Sequence, residues 1–277
     1  MIDLHHFFGD APGPRILMLG GVHGEERPGT LALDALAAEL NAGRLKLLKG
    51  ELLVAPRVNG PACAQNAHFI DENLNRIVRY HAAPTTNEQM VANDLIPLLD
   101  AADAVLDLHG TTAPTVPFAF LDDESTENRA WADAIGAPFL LSGWPSLYLG
   151  AGTVTTTEYA HAKGKRSLTV EVGQNDDLAS ADLGLSFARR TLAHFGLIAS
   201  LEAVARPSVL RLSKVIRRER DGAFARDWKN FDAVKKGEAL ICWADGETLS
   251  SPVDGFVVMP YAGAAPDEEW LYLAVTA

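Results

Sequence analysis

The sequence predicts an α/β fold, a mostly parallel or mixed sheet flanked by helices, followed by a small β-rich C-terminal domain. Three observations predict it. Short apolar runs alternate with helical patterns through the first 200 residues. Those runs are continuously apolar, as expected of strands buried on both faces of a sheet. After about residue 205 the texture changes to short alternating segments split by Gly and Pro. The expected division is therefore 1–204 and 205–277.

Strands are expected at Arg15–Gly20, Glu51–Ala55, Ala104–Leu108, Pro117–Leu121 and Ser167–Val172, each too short for a helix and bounded by Gly or Pro. Between them, Leu31, Leu33, Leu36, Ala37 and Leu40 recur at helical spacing over Gly29–Leu40, with Pro28 where a helix starts. Thr86–Leu99 and Asp182–Leu197 follow the same pattern. In the second part, Ala239–Trp243 and Gly255–Met259 are the clearest strand candidates. The pieces Val234–Glu238 and Ser251–Val257 resemble half-motifs of a biotinyl or lipoyl barrel, but the lysine that would carry a prosthetic group is absent between them, so the likeness concerns fold only.

Composition narrows the function. The chain of 277 residues is 48% hydrophobic, enough for a sizeable core, and its 24 Lys and Arg against 36 Asp and Glu leave a charge of −12. That sum argues against nucleic-acid or anionic-membrane partners. Cys63 and Cys242 are the only cysteines, too few for a disulfide framework or a thiolate metal cage, which points to a reducing compartment. The first ten residues lack the features of a signal peptide. The longest uncharged stretch, Ala134–Thr157, holds Pro138, Pro145 and four glycines, unlike a bilayer helix. The expectation is a soluble cytoplasmic protein, with homo-oligomerisation left open.

Three polar groups fall just after predicted strands, at the carboxyl edge where open α/β sheets collect ligands: His23, His109 and Glu171. Glu26 follows His23 by three residues in Gly20-Gly-Val-His-Gly-Glu-Glu26. Two imidazoles, one carboxylate and an open position suit a catalytic zinc, and Glu171 could serve as general base towards zinc-bound water. Any one of these histidines alone is more often a capped or hydrogen-bonded structural residue; the four groups together favour a site. Arg57, Arg76 and Arg79 cluster in a region where basic residues are scarce, since residues 1–200 carry 14 Lys and Arg against 24 Asp and Glu. A guanidinium recognises a carboxylate with two parallel hydrogen bonds, although on its own the cluster is better explained by structural salt bridges.

These motifs resemble the succinylglutamate desuccinylase and aspartoacylase family, relatives of the zinc carboxypeptidases. Gly21-Val-His-Gly-Glu-Glu26 is similar to its metal motif, Asn73-Leu-Asn-Arg76 to its substrate motif, Asp107-Leu-His-Gly-Thr-Thr112 to its third-ligand motif and Val170-Glu-Val-Gly173 to its catalytic motif. The resemblance implies a carboxypeptidase-like catalytic domain over 1–204, a β-rich C-terminal domain over 205–277 that shapes the active-site entrance, and a zinc-dependent amidohydrolase that removes an acyl group from an N-acyl amino acid. It assigns one zinc per chain to His23, Glu26 and His109, the base to Glu171, and a substrate carboxylate to Asn75 and Arg76. Asp107 could orient His109. Three departures stand out: His68, expected to act catalytically as a protonated but weaker substitute, where the family places an oxyanion-stabilising arginine; His161 near the position of a second substrate-binding arginine; and Asn73 for the motif's first Asp, a change expected to affect only how the Arg76 loop is held. The second makes strict N-acetylaspartate specificity unexpected. Alternatives are a carboxypeptidase acting on peptides and a metal-binding ligand sensor without turnover. Trp144 and Tyr148, in a specificity loop expected over Ala134–Thr157, and Tyr261 and Tyr272 are candidate wall residues, with burial as ordinary core the alternative for the first two.

Overall fold

Strands β1 (Asp3–Phe8) and β2 (Arg15–Gly20) open the chain, and helix α1 (Arg27–Asn41) leads to β3 (Glu51–Arg57) in the computed structural model, which describes residues 2–147 and 152–277. Next come α2 (Gly60–Gln65), a 3-10 turn at Leu74–Arg76, α3 (Asn87–Ala101), β4 (Ala104–Thr111), β5 (Phe118–Phe120), α4 (Thr126–Ile135), β6 (Phe139–Ser142) and α5 (Trp144–Leu147). Helix α6 (Thr156–Ala162), β7 (Arg166–Gln174) and α7 (Leu178–His194) complete the first part. The rest is β-structure: β8 (Ser208–Arg217), β9 (Gly222–Phe224), β10 (Ala233–Val234), β11 (Ala239–Trp243), β12 (Thr248–Ser250), β13 (Gly255–Val258) and β14 (Glu269–Thr276).

Among the described residues, eleven strands form one sheet in the order β1-β3-β2-β4-β7-β5-β6-β8-β14-β13-β10, and β12-β11-β9 form a second, smaller sheet. The four long apolar strands β3, β2, β4 and β7 run parallel, whereas β5 is antiparallel to β7 and the strands from β14 onward pair antiparallel, so the sheet is mixed. Its centre is covered on both faces, which is why those strands read as unbroken apolar runs. Ile16 and Met18 pack with Leu33 and Leu36 of α1, Trp131 of α4 and Phe187 and Leu192 of α7. Leu17 and Leu19, one residue out of phase, face Ala92, Leu95 and Leu99 of α3 and Ala160 of α6. The sheet continues past residue 205 because β8 pairs in parallel with β6. Phe118, Phe120 and Leu141 share a core there with Leu212, Val258 and Tyr272.

Ala134–Thr157 differs from the loop the sequence suggests. It contains the end of α4, the buried strand β6 and the start of α6, and it lacks charge partly because Leu140 and Leu141 are interior to the sheet. Tyr148 lies outside the described residues. No helix among them is long and apolar enough to cross a membrane.

Candidate metal centre

The end of β2 delivers the first ligands through a turn that only small residues permit. Gly21 has φ +61°, and a Cβ on Gly24 would sit 2.1 Å from the Ala62 carbonyl carbon, so the segment lies directly against the backbone of α2. This close approach places His23 and Glu26 at the mouth of α1. Glu26 occupies the N-cap of α1, yet its side chain caps no helix N–H. Instead, Nδ1 of His23 lies 2.8 Å from Glu26 Oε1, and Nδ1 of His109 lies 2.8 Å from Glu26 Oε2. The Gly110 N–H also donates to Oε2, at 3.1 Å. Parallel pairing of β4 with β7 sets His109 opposite Glu171 in register.

One ligand atom from each of His23, Glu26 and His109 lies within 4.8 Å of the others, and all three residues are buried. The other ring nitrogens meet oxygens too. His23 Nε2 is 3.0 Å from Asn73 Oδ1, and His109 Nε2 is 3.0 Å from Asp107 Oδ2, a close contact whose angle does not make a hydrogen bond. The Asn73 amide is oriented by the Asn75 N–H, which donates to the same Oδ1 at 2.9 Å. A metal-ligating imidazole must be neutral and carries one N–H, so in that state each ring faces two oxygens with one proton to give. A cation held by both Nδ1 atoms and Glu26 resolves this, leaving an Nε2–H on each ring for Asn73 and Asp107. The donor set therefore fits a divalent metal of zinc type.

Burial alone would raise Glu26, but the charges of and hydrogen bonds from His23 and His109 hold its carboxyl well below the ordinary range. For His109, burial is likewise outweighed, and Asp107 and Glu26 hold the imidazole well above its ordinary value. Burial, then the nearby Glu26 carboxylate, pushes Glu171 up to about 8. Its Oε2 has no hydrogen-bond partner among the described residues.

A cavity of about 330 Å³ opens onto these groups. His68, Asn75, Arg76, Trp144, Tyr261 and Tyr272 line it along with His23, His109 and Glu171. Arg76 makes no ion pair among the described residues; it donates to the Asn75 carbonyl at 2.8 Å and lies over the Trp144 ring. The Asn75 carboxamide accepts from the Thr156 N–H at 3.0 Å. His68 stacks on His23 with ring centres 3.9 Å apart. Burial and the neighbouring His23 lower its pKa to about 4, so the ring is neutral rather than the imidazolium that its replacement of an arginine suggests. Its Nδ1 lies 3.2 Å from Glu25 Oε1 and its Nε2 faces the Asn73 amide nitrogen at 3.4 Å. Arg57 pairs with Asp34 of α1, Arg79 donates to the Gly152 carbonyl, and His161 is exposed beside Asp123; none of the three lines the cavity. A second cavity of about 500 Å³ shares Glu171, Met259 and Tyr261 with the first.

Two supporting residues go beyond the sequence reading. Asn73 is the hydrogen-bond partner of a candidate ligand, whereas the motif comparison marks it only as a departure affecting a loop. Glu88 of α3, fully buried, accepts from the N–H groups of Ile70, Asp71 and Glu72 and from the side chains of Asn59 and Asn87. It thereby anchors the loop that carries His68 to Arg76. An acid in an amphipathic helix gives no local signal of such a role.

The chain is similar to known proteins over most of its length. The family model described as the succinylglutamate desuccinylase/aspartoacylase catalytic domain matches residues 12–195. The chain is 30% identical over 201 residues to an N-alpha-acetyl-L-2,4-diaminobutyric acid deacetylase of Halomonas elongata, a match covering 67% of this chain and 56% of that protein. It is 25% identical over 282 residues to a succinylglutamate desuccinylase of Pseudoalteromonas atlantica, covering 90% and 78% of the two chains. A product-bound structure of the ectoine utilization protein EutE (DoeB) from Ruegeria pomeroyi superposes with a TM-score of 0.82 at 24% identity, over 100% of this chain and 89% of that one.

Proposed function

The chain belongs to the succinylglutamate desuccinylase/aspartoacylase family, and on that premise we propose that it is a zinc-dependent amidohydrolase that removes the acyl group from a small N-acyl amino acid. The observation that carries this reading is the convergence of His23, Glu26 and His109 beside Glu171, in a cavity that also presents Arg76. His23, Glu26 and His109 would hold the metal. When bound there, zinc polarises the amide carbonyl and brings the pKa of water towards about 7.

The chain's own residues account for the rest. Arg76, which pairs with no carboxylate among the described residues, takes the carboxylate of the amino acid, and Asn75 helps to place it. Glu171 takes the proton of the attacking water at its buried carboxylate and returns it to the leaving amine nitrogen. With a cation held by His23, Glu26 and His109, the upward push of burial and Glu26 on Glu171 would be opposed, favouring the ionised base. His68 stands where the family has an arginine, and a neutral imidazole supplies at most one N–H to the developing oxyanion. Its help there is correspondingly weaker. Tyr261, from the loop after β13, and Tyr272 of β14 close the cavity and limit it to small substrates.

The named substrates of the relatives, an N-acetylated diaminobutyrate and a succinylated glutamate, share the amide and carboxylate this site addresses. The test is a hydrolysis screen of the zinc-loaded protein over N-acetyl and N-succinyl amino acids, scored by free amine released. Turnover of at least one, abolished by chelator and restored by zinc, is expected; metal-independent hydrolysis, or none across the screen, refutes the proposal.

A further inference from the structure

The cavity carries an acidic group that the deacylation chemistry leaves unused. Asp122 follows Leu121 at the end of β5 and lines the cavity that also holds Arg76. Its Oδ1 is shut off from solvent and has no hydrogen-bond partner among the described residues. Neighbouring acids are all engaged. Asp123 accepts from the Ser125 N–H and hydroxyl, each at 2.9 Å, and Glu124 pairs with Arg211 at 2.7 Å. Glu158 accepts from the Thr155 N–H at 2.8 Å, and Glu269 pairs with Arg217 at 2.8 Å. Burial and then Glu158, a like charge, push Asp122 up to about 7. A buried carboxylate oxygen without a donor is costly unless something else completes it.

Resting on the deacylase reading, we propose that Asp122 is a cation subsite that selects N-acyl amino acids bearing an ammonium on the side chain, the amino acid's carboxylate being held by Arg76. The cavity then has two poles matched to a diamino acid. A neutral side chain leaves Asp122 without a donor, and an acidic one adds a second negative charge beside it. His161, exposed against Asp123, supplies no cation to the cavity that would reverse this preference.

The experiment compares kcat/KM of the zinc-loaded protein and of Asp122→Asn, an isosteric change. The substrates are the α-N-acetyl derivatives of 2,4-diaminobutyrate, ornithine and lysine, of their uncharged counterparts of equal carbon number, and of aspartate. The wild type should favour at least one diamino substrate over its uncharged counterpart by about thirtyfold or more, as a buried charge-assisted hydrogen bond implies. In Asp122→Asn that preference should collapse while the uncharged substrates stay within about threefold. Equal rates in the wild type, or a uniform loss across all substrates in the variant, overturn the subsite. Calorimetric binding of the free amino acids reads the subsite without turnover. Asp122-dependent binding of a diamino acid with no hydrolysis would remove the deacylase reading and leave the subsite, whereas hydrolysis without discrimination would do the reverse.

Discussion

Replacing Asn73 by aspartate should tighten zinc binding. The Asn73 Oδ1 is the acceptor facing His23 Nε2 at 3.0 Å, and the Asn75 N–H fixes its orientation. A carboxylate in the same place makes a charge-assisted hydrogen bond, roughly twice as strong as a neutral one, and renders the imidazole a better donor to the metal. Changes to such partners of ligating histidines typically move metal affinity by about 10–100-fold, or about 1.4–2.7 kcal/mol. One loss opposes the gain. The Asn73 amide nitrogen faces His68 Nε2 at 3.4 Å, a long contact worth at most about 1 kcal/mol, and a carboxylate cannot donate there. The net expectation for Asn73→Asp is about tenfold tighter zinc, with Asn73→Ala weaker than wild type by a similar factor. Chelator competition on the folded apo-protein at fixed pH measures both. If aspartate leaves the affinity unchanged or weakens it, Asn73 does not set the basicity of His23 as a ligand.

Glu88→Gln should lower stability by about 1–3 kcal/mol, read by denaturant unfolding, because one amide oxygen cannot accept what two carboxylate oxygens accept from Ile70, Asp71, Glu72, Asn59 and Asn87. Burial raises the Glu88 pKa, but those donors outweigh it and leave the folded value below the ordinary 4.5. Its contribution is therefore present above that ordinary value and fades as pH falls towards the folded one, a slope Glu88→Gln should lack. His68→Ala should reduce kcat by about tenfold or less, since the ring is neutral and its nitrogens face Glu25 and Asn73; a loss of a hundredfold or more would mark it as a principal oxyanion donor.

What could be read from the chain follows from how local its physical cause is. Strands β2, β3, β4 and β7 announce themselves because burial on both faces demands unbroken apolar runs, and the register of β4 with β7 then places His109 opposite Glu171. The grouping of His23, Glu26 and His109 was legible for the same reason, as residues at strand ends share one edge. Strand β1 was passed over because, at the sheet edge, it is largely exposed and bears two histidines. Strand β6 was hidden by its brevity and by the glycine and prolines around it. Asp122 begins an acidic run with Asp123 and Glu124 that carries no local signal of a site, and only the fold separates it from them. Arg57 and Arg79 are near Arg76 in sequence, yet α1 and the Gly152 carbonyl claim them. Asn73 and Glu88 act through partners distant in the chain, which no local pattern reveals.

The central claim is that Glu171 moves the proton beside a metal held by His23, Glu26 and His109. Its most direct test is amine release by zinc-loaded Glu171→Gln against wild type, with zinc content measured on the same samples. The account predicts about one zinc per chain in both and a fall in kcat of about a hundredfold or more in the variant, the scale expected for a lost general base. Equal zinc with hydrolysis within about threefold of wild type would contradict it.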